Sequence, residues 1–279
     1  MGLKNILYLG SILFLGFISL LYSDAYATTF TATQSGDWTD PNTWGGATPP
    51  VTSNLDNTII IPSGITVTVP IGDTVTNNGL IINSGTIENM FFFVNSGNIT
   101  NSGTITNLKF ICLGDGCPTN VIITNNANAI ITNSGIISIE QGLLNNFGSL
   151  DNSNNVTNDG IIDNSGMLTN EPNGTITNIF FTGIIKNHCI STFTNNGSIT
   201  NNTIMDLCPP CTLPVSGDFT ITSDCKISNS AVTPSKVIVQ NNALLFIPSG
   251  KNLHIDFKTK HLLIKSGSRV LIKAGGKLD

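Results

Sequence analysis

The chain has 279 residues, 40% of them apolar and only 10% charged, with a formal net charge of −5. Regular spacing of so many apolar residues excludes a disordered polar tail, and the length suits one large β domain. Nucleic acid is not among the expected partners of such a weakly charged, net acidic chain.

Residues 1–27 read as a signal peptide. Lys4 supplies the short positive start, and Ile6 to Tyr22 form an apolar run of 17 residues. Ala25-Tyr26-Ala27 then gives the small-x-small site that precedes cleavage at Thr28. The run is short for a spanning helix, so cleavage is the expectation and an uncleaved anchor the alternative. The chain is therefore expected to be secreted or held at the extracellular cell surface, touching membrane only through an uncleaved segment.

Residues 28–56 differ from all that follows and are expected to cap the fold. They contain Phe30, then Ser35-Gly36-Asp37-Trp38-Thr39-Asp40-Pro41-Asn42-Thr43-Trp44-Gly45-Gly46, and lead past Pro49-Pro50 into Ile59-Ile60-Ile61-Pro62-Ser63-Gly64. Three aromatic rings in one stretch suit a lid over a first coil; Trp38 and Trp44 could instead stack on sugar rings. Over residues 30–70 this pattern resembles the opening of G8-like domains and of secreted bacterial and archaeal parallel β-helix surface proteins. That resemblance implies an extracellular protein and brings no catalytic residue with it.

Residues 57–225 carry the repeat. Val75, Ile81, Ile87, Phe93, Ile99, Ile105 and Ile111 recur every six residues, as do Leu144, Leu150, Val156, Ile162 and Leu168, and again Phe193, Ile199 and Met205. Three steps make a unit visible by eye: Gly79-x-Ile81-x-Asn83-Ser84-Gly85-Thr86-Ile87-x-Asn89 returns as Gly97-x-Ile99-x-Asn101-Ser102-Gly103-Thr104-Ile105-x-Asn107. Six residues do not fit a helical turn, and Asn, Gly and β-branched residues disfavour helix. The period fits short strands joined by corners, with Ile and Val pointing inward. The predicted fold is all-β, a single-stranded parallel β-helix (solenoid) built on six-residue steps behind an N-terminal cap, of either hand. Asn83, Asn101 and their equivalents serve as turn residues or as amide ladders along the stack. These Asn/Gly repeats look like those of adhesin-type solenoids.

Cys112, Cys117, Cys189, Cys208, Cys211 and Cys225 are candidates for disulfides, as an even count in an exported chain suggests. The alternatives are a redox pair at Cys208-Pro209-Pro210-Cys211 and a metal site including His188. A redox pair wants a helix N-terminus, and a zinc site wants paired ligand clusters; neither is evident. No metal, cofactor or catalytic residue is assigned. The carboxylates that an extracellular polysaccharide lyase or hydrolase would need are represented by Asp159 and Asp163, four apart across a turn, with Asp115, Asp151 and Glu171 elsewhere. Asn98, Asn155, Asn173, Asn196 and Asn201 begin Asn-x-Ser/Thr sequons and are glycosylation candidates.

Residues 226–279 reverse the charge. From Thr28 to Cys225 there are fourteen acidic residues against Lys109 and Lys186; from Lys226 onward nine bases face Asp256 and Asp279. Ile247-Pro248-Ser249-Gly250 repeats the turn at Ile61, so these are expected to be further β coils with a basic surface. Lys258, Lys260, Lys265, Arg269 and Lys273 are the candidate ligand-binding residues. The expected partners are an acidic cell-envelope polymer or surface protein, or a second copy through ends of opposite sign. Lysines that merely discourage edge-to-edge aggregation are the plainer alternative. The functional expectation is an exported structural or adhesive rod without catalytic activity.

Overall fold

A computed structural model describes residues 28–47, 52–53, 55–108, 121–179, 182–201, 203–214, 217–232, 236–255 and 261–279. The signal segment, Lys109, Ile111, Cys112, Asp115, Cys117, Asp256, Lys258 and Lys260 lie outside the described residues.

The protein is a parallel β-solenoid, and the described residues form no α-helix. Each four-residue strand from Thr58–Ile61 to Thr175–Asn178 buries its second and fourth side chains, as in Thr86–Asn89 and Leu80–Asn83. The second residue is Ile, Val, Leu or Phe and the fourth is usually Asn, so each strand ends by turning an amide into the corner. The chain visits three sheets in turn. Sheet A runs from Thr29–Thr31 to Thr192–Asn195, sheet B from Gly36–Asp37 to Ser198–Thr200, and sheet C from Thr74–Asn77 to Ile204–Asp206. Every pairing between the described strands of these sheets is parallel and in register, so like residues stack. In sheet C, for example, Val75, Phe93, Ile123, Leu144, Ile162, Ile185 and Ile204 form one inward column. Each fully buried aliphatic side chain in such a column contributes about 1.5–3 kcal/mol.

The step between inward residues is six within the regular runs but lengthens between them, to eight from Ile123 to Ile131 and nine from Ile176 to Ile185, and it shortens once, after Ile199. The spacing predicts that Met205 follows Ile199 into the core, but Ile204 pairs with Ile185 and Met205 is 47% exposed. Asn201 adopts φ 51°, which turns the preceding corner one residue early and moves the inward position back by one.

The corner amides form ladders. Along sheet A, Asn83, Asn101, Asn133, Asn152 and Asn170 each donate Nδ2 to the next Oδ1 at 2.7–2.8 Å, and the ladder ends at Asn195, which accepts from Asn170. Along sheet C the ladder begins with the Ser53 hydroxyl donating to Asn77 and continues through Asn95, Asn125, Asn146 and Asn164 to Asn187. The same Nδ2 groups also meet backbone carbonyls of their own corner and of the next coil, as Asn133 does at Gly135 and Asn155. Turn chemistry and ladder are thus one arrangement. Along sheet B the ladder is broken where Ile139 stands between Asn107 and Asn158. There Asn107 turns to the Val121 and Leu143 carbonyls, and Asn158 accepts from the Gly160 N–H.

The corners are tight enough to demand glycine. A Cβ on Gly103 would lie 2.1 Å from the carbonyl oxygen of Gly85, one coil earlier. The cap is built into this stack: Trp38 and Trp44 are buried with ring centroids 5.4 Å apart, and Trp38 reaches Phe93 at 6.1 Å. The Trp44 indole donates to the Trp38 carbonyl at 2.8 Å.

A second stack follows. Sheet E starts at Phe219–Ile221, sheet D at Cys225–Lys226 and sheet F at Ala231–Val232, with three strands each. The change of charge at Lys226 therefore falls inside a coil. This stack has its own apolar core around Phe219, Val237, Leu245, Ile247 and Leu253.

Candidate functional site

The junction between the stacks explains where the basic residues end up. Strand Leu244–Ile247 alternates like the others, with Leu245 and Ile247 in the core of the second stack. Its outward residues, Leu244 and Phe246, are buried too, because they pack on Cys189 and Cys208. Those cysteines form a disulfide, and Cys211 forms another with Cys225. A face that would otherwise meet water is thus closed by a disulfide of the first stack. Pro210 pairs with Lys226, whose Nζ lies 2.7 Å from Asp206.

This connectivity answers the reading of Cys208-Pro209-Pro210-Cys211 as a redox couple. The two cysteines bond different partners, so they do not form one exchangeable pair. With Cys189 in a disulfide, it is also no thiolate ligand beside His188. No group of three or more His, Cys, Asp or Glu among the described residues is placed to hold a metal ion.

The described basic candidates fall on the coil after Leu244–Ile247. Lys265 follows strand Leu262–Ile264 and Arg269 opens strand Arg269–Ile272, so the two flank one corner. Lys273 follows that strand and Lys277 opens the next, flanking the following corner. All four are exposed, and Lys265 donates to Gln240 at 2.7 Å. Sequence reasoning misses Lys277, for which the alternation with Leu278 is the available signal. His254 and His261 are exposed on the same stack, with His254 3.4 Å from Asp279. The four exposed cations thus flank two successive corners of one coil.

The remaining candidates are dispersed. Trp38 and Trp44 are 0% and 4% exposed, so neither offers a ring face to a sugar; burying both rings is what closes the first coil. Asp159 sits in a corner, accepts from the Thr182 hydroxyl and lines a shallow groove with Gln141, Leu143 and Ile161. Asp163 is on the face of sheet C, 2.5 Å from His188 Nε2 and opposite Lys186 in register. Asp163 is not among the residues that line the groove at Asp159, and the two carboxylates have different partners, the Thr182 hydroxyl and His188. Among the sequons, Asn98, Asn173, Asn196 and Asn201 are exposed and Asn155 is half-buried, while Asn201 is tied to the Asn178 carbonyl at 3.0 Å.

No helix among the described residues is long and apolar enough to cross a membrane. The chain matches no protein-family model, no curated protein and no solved structure. What is established is the architecture: a parallel β-solenoid, pinned by two disulfides where its acidic and basic stacks meet.

Proposed function

We propose that this protein is an exported, non-catalytic rod of the cell surface that associates with an acidic envelope polymer through its basic coils. The observation that carries the reading is the exposed cluster of Lys265, Arg269, Lys273 and Lys277 at adjacent corners of a stack joined to an acidic one. Ladders of buried amides support a stiff structural element, since coils of the first stack are bonded to the next through side-chain amides along sheets A and C as well as through the backbone. The two disulfides agree with folding in an oxidising compartment and hence with the signal-like residues 1–27. The G8-like opening and the adhesin-like Asn/Gly repeats point the same way.

The test is fractionation of the producing cells, followed by binding of purified protein to isolated envelopes. Surface location should appear as loss of the protein when intact cells are treated with protease. Substituting Ser for Lys265, Arg269, Lys273 and Lys277 together should abolish retention on envelopes without lowering thermal stability. A cytoplasmic protein, or retention untouched by the four substitutions, would overturn the proposal.

A further inference from the structure

The first stack ends in an exposed edge within the chain. Among the described residues, strand Thr192–Asn195 is the last of sheet A and Ser198–Thr200 the last of sheet B, while the second stack packs on Cys189 and Cys208. The core residues at this end, Phe193 and Ile199, are only half-buried, and Ile190 beside them is 49% exposed. Asn195 completes its ladder by accepting from Asn170 and is itself exposed. From Cys189 to Met205 the sequence contains no charged residue and no proline. Soluble proteins blunt such edges with lysine, proline or a covering segment, since a bare strand edge recruits strands from other molecules.

A second observation coincides with the first. The corner joining the two edge strands carries the sequon Asn196-Gly197-Ser198. Asn196 is exposed and its backbone N–H is anchored to the Asn170 carbonyl at 2.8 Å, while its side-chain amide bonds to no described residue. Asn201, the other sequon at this end, has its amide committed to the Asn178 carbonyl.

We infer that Asn196 is N-glycosylated and that its glycan is the cover for this edge. The inference rests on the export reading, since the modification occurs on exported chains. In the transfer, the amide nitrogen of Asn196 attacks the anomeric carbon of a lipid-phosphate-linked sugar. The new C–N bond replaces the anomeric C–O bond; the lipid phosphate leaves, and the amide loses one proton to the transferase base. A hydrated glycan rooted between the two strands then occupies the space that an added strand would need.

Peptide mapping by mass spectrometry of protein purified from the producing cells tests the site. The expected result is a glycan mass on the peptide containing Asn196, absent in Asn196→Gln. Sedimentation of the same two proteins tests the role. The host-made protein should stay monomeric, while Asn196→Gln should self-associate at the same concentration and return to monomer when Thr194→Lys places a charge on the edge. A bare Asn196 in protein recovered from the cell surface would overturn the inference and leave the export reading standing. An unglycosylated protein found only in the cytoplasm would overturn both. Asn196→Gln that remains monomeric at every concentration would overturn the covering role.

Discussion

Replacing Asn133 with alanine should unfold the stack well below the temperature at which the unaltered protein melts. Its Nδ2 donates to Asn152 Oδ1 at 2.7 Å, to the Asn155 carbonyl at 3.1 Å and to the Gly135 carbonyl at 3.2 Å. Its Oδ1 accepts from Asn101 at 2.7 Å. Asn101 keeps its bonds to the Gly103 and Ile136 carbonyls, so little is lost there. Asn152 Oδ1, by contrast, is left with only the Asn154 N–H at 3.4 Å. A buried acceptor left short of a partner costs about 1–3 kcal/mol, and each further bond lost about 1 kcal/mol net. The expected destabilisation is about 3–5 kcal/mol, a large share of the roughly 5–15 kcal/mol typical of a folded domain. For a chain of this size that is a fall in Tm on the order of 10 °C, readable by calorimetry. Asn195→Ala is the control, because Asn195 is exposed and ends its ladder; it should cost about 1 kcal/mol or less. If the two variants melt within about 1 kcal/mol of each other, the ladder is not a stabilising element and the reasoning fails.

The break in the sheet B ladder gives a paired test. Ile139→Asn restores a partner for both Asn107 and Asn158 and should be nearly neutral, within about 1 kcal/mol. Ile137→Asn in the same strand meets only apolar neighbours and should cost about 4 kcal/mol or more; equal effects in urea melts would contradict the ladder geometry. Gly103→Ala should destabilise by about 1–3 kcal/mol because the added carbon meets the Gly85 carbonyl, and an unchanged urea midpoint would count against that contact. Removing the Cys189–Cys208 disulfide by double serine substitution should cost about 3 kcal/mol for a loop of this length. It should also expose the strand containing Leu244 and Phe246 to limited proteolysis; cleavage patterns identical with and without the bond would refute the packing.

The solenoid was legible because its period is written in side chains that must repeat. Ile81, Ile99, Leu150 and Leu168 could only share a face if the chain closed a coil between them. The slip at Met205 was not legible, since it depends on Asn201 adopting a left-handed conformation that the sequence permits without requiring. The disulfide partners could not be read either: spacing alone cannot say that Cys208 bonds Cys189 while Cys211 bonds Cys225. The double burial of Leu244 and Phe246 follows from how two stacks meet, which no local pattern encodes. For Trp38 and Trp44 the sequence left capping and sugar binding open, and burial decides for capping. The basic surface was visible as a run of Lys and Arg, while its arrangement at two adjacent corners needed the strand boundaries.

The central claim is a rod that holds an acidic polymer without cutting it. Purified protein should be incubated with acidic polysaccharide and with isolated envelopes, following both retention of the protein and release of polymer fragments. Retention should fade as salt screens the contacts over about 8–10 Å, with no new fragments. Fragments that disappear on Asp159→Asn or Asp163→Asn would contradict it and identify the protein as an enzyme.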